Sequence, residues 1–514
     1  FNQNFQATIN ANKKFNDLIA KLKLSYLYEN THYEDFNILG KDFIFEGIPQ
    51  LNNTNPELAS MNSYQGDIVS INYFFISDFN YKDRYLFSGL YRIDGSSLFG
   101  ENVRWNPYYR FSGAYRVTED IEIPYVDELK LRTSYGTSGQ RPGFSYQYET
   151  WDISNGQASK RSLGNKNLKP STTKELEIGI NMDFLNRFSF EGTYSVSNTE
   201  NAFAKAPLPS HYGGYPYQWK NVGTLSSKVW EMKLDMNLIK GKNFSWTSTL
   251  LFDRIRQKVK KLDIPAYKTG PINSFYVKEG ESFGIIYGYK WLQSLDEMAN
   301  QLPEGASIND YVINSDGYVI PAGTEGTVNE IPVLLDADKD GLPDKIKIGD
   351  GNPDFNLSMA NTFSFHGLKL YFLLAWKNGG NIYNYTRQYT FRDLRAKEFD
   401  QYGKPEDQKK TINYYSTFYK NTEINSYFVE DGSFLKLREV SLNYDLHPGF
   451  LKNITKGFVK GINLGVQSLN VFTLTKYKGY DPEVASGSDL TNYPFDNFGY
   501  PNFRTYTASL KLTF

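Results

Sequence analysis

Between Lys174 and Ser197 the chain reads KELEIGINMDFLNRFSFEGTYSVS. Leu176, Ile178, Ile180, Met182 and Phe184 take every even position, with Glu177, Gly179, Asn181 and Asp183 between them. After Leu185-Asn186-Arg187 the alternation resumes at Phe188, Phe190, Gly192, Tyr194 and Val196. Successive side chains of a strand point to opposite faces, so this is a hairpin with one apolar and one polar face. The same period predicts strands at about 5–11, 20–28, 67–79, 83–93, 107–117, 128–136, 174–184, 188–198, 228–239, 243–256, 354–365, 368–378, 434–446, 460–472 and 503–514, fifteen in all.

The connections discriminate between architectures better than any single strand. NYKD (80–83), LNR (185–187), IKGKN (239–243) and HG (366–367) are tight, whereas 29–66, 137–173, 199–227, 257–353, 379–433 and 473–502 are long. Outer-membrane barrels alternate in this way, with short periplasmic turns and long extracellular loops. A soluble sandwich or propeller has shorter strands and more evenly spaced connections. Nine residues from Leu176 to Phe184 rise roughly 30 Å. At a tilt near 40° they stand roughly 23 Å tall, close to the apolar band of about 25 Å that such barrels show to lipid. The prediction is an all-β fold: a large antiparallel transmembrane barrel with acyl chains outside and water inside.

Composition narrows the picture further. Aromatic residues make up 16% of the chain, with 40 Tyr and 37 Phe, yet mean hydropathy is −0.53, as expected where each strand has one wet face. A net charge of −1 supplies no field for holding nucleic acid. There is no cysteine, and His32, His211, His366 and His447 lie too far apart in sequence for a ligand motif, so thiolate sites and disulfides are excluded and a histidine metal site is not expected. No apolar run is long enough for a transmembrane helix, and no phosphate-binding glycine loop occurs. The first residues, FNQNFQATINAN, carry no export signal. Because single-chain barrels normally close on an even number of strands, fifteen implies that further strands precede Phe1 in another segment.

Several phrases resemble a known family: LFSGLYRIDGSSLFGENVRWNPYYRFSGAYRV (86–117), LKLRTSYGTSGQ (129–140), NLKPSTTKELEIGI (167–180), PLPS…YQWKNVGTLSSKVWEMKL (207–234), EDGSFLKLREVSLNY (430–444) and VFTLTKYKGYDPEV (471–484). In this order they resemble the C-terminal half of SusC/RagA-like TonB-dependent transporters of the outer membrane of Bacteroidota. The resemblance implies about 15 strands of a barrel of about 22 with a plugged lumen, residues 1–514 forming part of that single barrel domain. It implies that the plug domain, the N-terminal strands and the segment that engages TonB-ExbB-ExbD lie outside this chain. It also implies a SusD-like surface lipoprotein that caps the barrel over a glycan or oligopeptide.

Four groups of residues are candidates for chemistry. DADKDGLPD sets Asp336, Asp338 and Asp340 at alternate positions before Gly341, with Asp344 beyond, like the start of an EF-hand loop. The twelfth position holds Lys347 instead of Glu, so the turn reads either as a structural Ca²⁺ site or as a solvated acidic turn. HYGGYPYQW gathers Tyr212, Tyr215, Tyr217 and Trp219, rings that stack on sugars or peptides, or else pack loops together. RIRQKVKK, Arg254 to Lys261, is a basic run facing lipopolysaccharide phosphates or solvent. RTYTASLKLTF ends on Phe514, which reads as a barrel-assembly signal or an interfacial girdle residue.

No nucleophile–base pair is nominated by the sequence. The expectation is a non-enzymatic importer of a large nutrient, energised through TonB and needing no cofactor. Its partners are the lipoprotein cap, the rest of the barrel, and outer-membrane lipid with lipopolysaccharide. A SusC-like scaffold that imports nothing is the alternative, and an outer-membrane enzyme is the weaker one.

Overall fold

The computed structural model describes every residue except 155–156, 210, 212, 420–422, 447 and 485–493, together with all side chains but those of 154, 448, 450 and 452–453. All fifteen expected strands are present: β1 (Asn2–Phe15), β2 (Leu18–Phe43), β3 (Thr54–Tyr81), β4 (Tyr85–Ser96), β5 (Trp105–Arg116), β6 (Val126–Gln140), β7 (Ser171–Phe184), β8 (Phe188–Pro207), β9 (Tyr217–Lys240), β10 (Phe244–Leu262), β11 (Pro353–Phe365), β12 (Leu368–Gly379), β13 (Phe434–Asp445), β14 (Gly461–Thr475) and β15 (Thr505–Thr513). A short hairpin, Thr150–Ser154 with Gln157–Leu163, brings their sheet to 17 strands. The chain forms two compact units. One is Phe1–Asp120 with Lys130–Ile178 and Ser197–Thr224; the other is Ile121–Leu129 with Gly179–Val196 and Leu225–Phe514.

Pairing register separates wet from greasy rows. In the second unit Phe244, Phe365, Leu368, Tyr444, Leu464 and Leu510 lie side by side across six strands. One residue along, the row is Ser245, Ser364, Lys369, Asn443, Gly465 and Ser509. In the first unit Lys21, Asp78, Ser88, Ser112 and Ser134 form a polar row, while Phe79 and Phe87 pair in an adjacent row. Slipping any strand by one residue would mix the rows, so the alternation itself fixes the register. Phe75, Phe87, Phe111, Leu176 and Ile178 stand exposed, and solvent-facing side chains of that size mark a surface meant for lipid.

Tight turns use left-handed backbone where the hairpin demands it. His366 and Gly367 both have positive φ, 46° and 87°, the two-residue type that matches strand twist. Not every connection at the other strand ends is the long loop expected. Residues 29–66, expected as a loop, instead continue β2 and β3, which stay in register out to Leu39 and Ser60 and pair, across irregularities, to Phe43 and Thr54. Gly40, Gly47, Pro49 and Pro56 blur the period there. The run Arg254 to Lys261 lies inside β10, where Arg256 reaches Asp354 Oδ1 at 2.9 Å and the Pro353 carbonyl at 2.6 Å.

The core of the second unit lies in the connections between the long strands, partly on short strands of small separate sheets. Tyr383, Tyr385, Phe391, Tyr414, Phe418, Phe428 and Phe495 pack with Phe275, Ile286 and Trp291. Short helices at Tyr385–Arg392 and Ile412–Phe418 carry several of these rings. A protein whose strand faces meet lipid and water keeps its buried apolar cluster where loops fold on one another.

Candidate functional site

The polar strand faces come first, since they would line any aqueous path. In the first unit they form a recess of about 470 Å³ lined by Lys21, Asp78, Ser88, Arg132 and Glu177 among others. Ser88 Oγ donates to Asp78 Oδ1 at 2.6 Å, and Arg132 forms an ion pair with Glu177. Cross-strand pairs of this kind satisfy charge while leaving the face hydrated.

Still in the first unit, the aromatic cluster predicted at 212–219 is largely engaged with protein. Tyr212 lies outside the described residues. Tyr215 is buried, and its hydroxyl donates to Glu149 Oε2 at 2.7 Å; this bond to a carboxylate raises the phenol pKa. Trp151 meets the Tyr215 ring edge-on at 6.1 Å, and the Lys160 ammonium sits 5.0 Å from its centroid. Trp219 stacks on Tyr146 at 3.7 Å, with Phe203 edge-on to it. Lys205 lies 4.9 Å over Tyr217 and 5.6 Å over Trp219. Tyr217 and Trp219 remain half-buried. The motif therefore ties segment 146–163 to 203–219 and leaves two rings partly open.

The second unit contains a node that no local pattern foretold. Asn384 caps helix Tyr385–Arg392, accepting from the Arg387 amide at 2.8 Å, which sets the Arg387 side chain inside the loop core. There its guanidinium pairs with Glu398 and with Glu430 Oε1 at 3.1 Å, and lies 4.7 Å from the Tyr427 ring centroid. Burial pushes the Glu398 carboxyl up, but the charge and hydrogen bonds of Arg387 outweigh it and the pKa falls. Around this node opens a cavity of about 610 Å³ lined by Trp291, Tyr318, Arg387, Tyr427, Glu430 and Lys478 among others. Burial lifts Tyr318 to a pKa of about 12 and pushes the Tyr427 phenol up as well. Elsewhere in this unit two of the phrases quoted above meet: Lys436 Nζ reaches Asp481 Oδ1 and Glu483 Oε2, each at 2.6 Å, and Arg438 closes on Glu483.

The acidic turn holds three of its four predicted residues together. Carboxylate oxygens of Asp336, Asp338 and Asp340 lie within 4.8 Å of one another. Asp336 Oδ1 is buried with no hydrogen-bond partner. Asp344 is engaged otherwise, its Oδ2 accepting from the amides of Ala337 and Asp338 at 2.7 and 3.2 Å. The Asp340 amide lowers the Asp338 pKa, but partial desolvation and the crowding of Asp340, Asp344 and Asp336 raise it on balance. Such like-charge crowding fits a hard cation supported by oxygen ligands. At the C-terminus Phe514 is exposed, its ring edge-on to Phe458 at 5.4 Å, and its carbonyl accepts from Lys460 Nζ at 3.2 Å.

Residues 1–309 match the family described as TonB dependent receptor-like, beta-barrel. TonB-dependent receptor P39 of Formosa agariphila is 26% identical over 575 positions, covering 100% of this chain and 53% of the relative. TonB-dependent receptor SusC of Bacteroides thetaiotaomicron is 22% identical, over 85% of this chain and 44% of its own length. The structure of the RagAB peptide importer in its closed-closed state aligns with a TM-score of 0.79 at 19% identity, over 100% of this chain and 55% of that one. The chain thus spans about half the length of the curated relatives it matches.

Proposed function

Because the chain belongs to the family of TonB-dependent receptor-like β-barrels, we propose that it supplies the C-terminal wall and outer loops of a SusC-type importer of a large nutrient. It is an outer-membrane protein of the SusC/RagA type known from Bacteroidota, a family of transporters and receptors and not of enzymes. The observation that carries the reading is the pair of neighbouring rows, Phe244 to Leu510 and Ser245 to Ser509, which suits a wall between lipid and water. The outer edges of β1 and β15 are where the remaining strands of the barrel pair, since among the described residues each pairs with one strand and is exposed along its length.

In this reading a glycan or oligopeptide settles among the outer loops, with Tyr217 and Trp219 offering ring faces, and a SusD-like lipoprotein closes over it. Uptake is driven through TonB by segments outside this chain, and catalysis has no part. The test is growth of a deletion strain on a panel of glycans and peptides as sole nutrients. Loss of one substrate, restored by the complete gene but not by a version lacking the TonB-binding box, supports import. Full restoration by that version indicates a scaffold instead.

Two further predictions belong to this reading. The turn at Asp336, Asp338 and Asp340 holds Ca²⁺, so terbium bound to the complete protein luminesces and is displaced by calcium, whereas Asp338→Asn weakens binding at least tenfold. Removing Phe514 leaves the last strand without its terminal aromatic, and the heat-modifiable, folded fraction in the outer membrane falls several-fold on gels.

A further inference from the structure

Strand β3 pairs with β4 as far as Ser70, and Val69 still exchanges hydrogen bonds with Ser97. On the other side β2 pairs with β1 as far as Thr31, and His32 exchanges bonds with Phe1 at 2.8 Å. Beyond these, Tyr33 to Phe43 and Thr54 to Ile68 pair with each other as a ribbon among the described residues. Eleven residues of arm make it roughly 36 Å long. It lies at the strand ends opposite the tight turns after Phe15 and Tyr81, and therefore on the outer side.

The ribbon's tip reverses the usual order of a loop. Asn53 is buried and satisfies the backbone from within: its Oδ1 accepts from the Phe45 amide at 3.1 Å, and its Nδ2 donates to the carbonyls of Phe45 and Ile48 at 2.8 and 2.9 Å. Thr54 Oγ1 closes the turn on the Leu51 carbonyl at 2.7 Å. With its polar groups turned inward, the tip presents Ile44, Phe45, Ile48 and Leu51 to solvent at 61%, 66%, 47% and 57% exposure. A hydrogen-bonded turn that holds four large apolar side chains in water is an interaction surface.

Charge narrows the choice of occupant. Residues 32–67 carry Glu34, Asp35, Asp42, Glu46, Glu57 and Asp67 against the single Lys41, and His32 bridges Glu34 and Asp67 at 3.0 and 2.7 Å. A second copy would bring the same acidic stalk, and lipopolysaccharide is anionic, so both are repelled. We propose that the tip is a docking knob for a protein partner whose surface offers an apolar pocket ringed by lysine and arginine side chains. Resting on the reading above, that partner is the SusD-like cap.

The test uses the complete tagged protein purified from its own outer membrane together with any SusD-like lipoprotein it carries. Phe45→Asp combined with Ile48→Asp lowers co-purified lipoprotein at least tenfold while the barrel still migrates as a folded, heat-modifiable species. The milder Phe45→Ser lowers it in proportion, and added salt weakens the wild-type complex. A photo-crosslinker at position 45 forms its adduct with the lipoprotein. Undiminished co-purification of folded variants overturns the proposal, as does an adduct confined to the protein's own N-terminal half or to a second copy, or no adduct at all. A wild-type barrel that carries no lipoprotein overturns the importer reading, and with it the partner's identity, even where the crosslinker captures some other protein.

Discussion

Lys410→Ala is expected to destabilise the outer loop layer by about 3–5 kcal/mol, the usual cost of removing one partner of a buried ion pair. Lys410 and Glu330 are 1% and 0% exposed and form an ion pair. Glu330 also accepts from Asn314 Nδ2 and from the Gly326 amide, both at 2.7 Å, and the Lys410 ammonium lies 5.2 Å from the Tyr414 ring centroid. Without the ammonium these two neutral donors face an uncompensated buried carboxylate. The change appears in hydrogen exchange of segments 306–332 and 401–418, faster by roughly 10²-fold or more, while the barrel itself remains heat-modifiable. Lys410→Met with Glu330→Leu removes both charges and recovers most of the loss. If the single variant exchanges like wild type, the pair is not the tie that holds these loops.

That tie also marks the limit of what the sequence reveals. The strands were legible because each wall residue meets lipid or water directly, so period 2 is written into every segment. Leu176, Ile178 and their polar neighbours needed no distant partner to be read. The loop layer is held by contacts such as Lys410 to Glu330 and Arg387 to Glu430, 80 and 43 positions apart, which leave no periodic trace. The density of rings from Tyr383 to Phe391 was the available signal that a core lay there. The aromatic run at 212–219 was visible, but its engagement was not, because Glu149 and Tyr146 come from another connection. The aspartate spacing at 336–340 did report proximity, since a tight turn brings alternate residues together without outside help.

The wall offers the other large effect. Ile178 is 55% exposed on one face of β7, and Glu177 beside it pairs with Arg132 on the other. Phe184 at the tight turn lies six positions beyond Ile178, which is roughly 20 Å of rise. At the usual strand tilt that becomes about 15 Å, close to the middle of an apolar band about 25 Å tall. Ile178→Arg therefore places a guanidinium among acyl chains and is expected to cost about 2–4 kcal/mol. Glu177→Arg meets water instead; it loses a partly exposed ion pair and costs about 1 kcal/mol or less. Urea titration of the complete protein in phospholipid vesicles compares the two. A penalty at Ile178 no larger than at Glu177 would mean that the apolar rows do not face lipid, and the importer proposal would lose its physical basis.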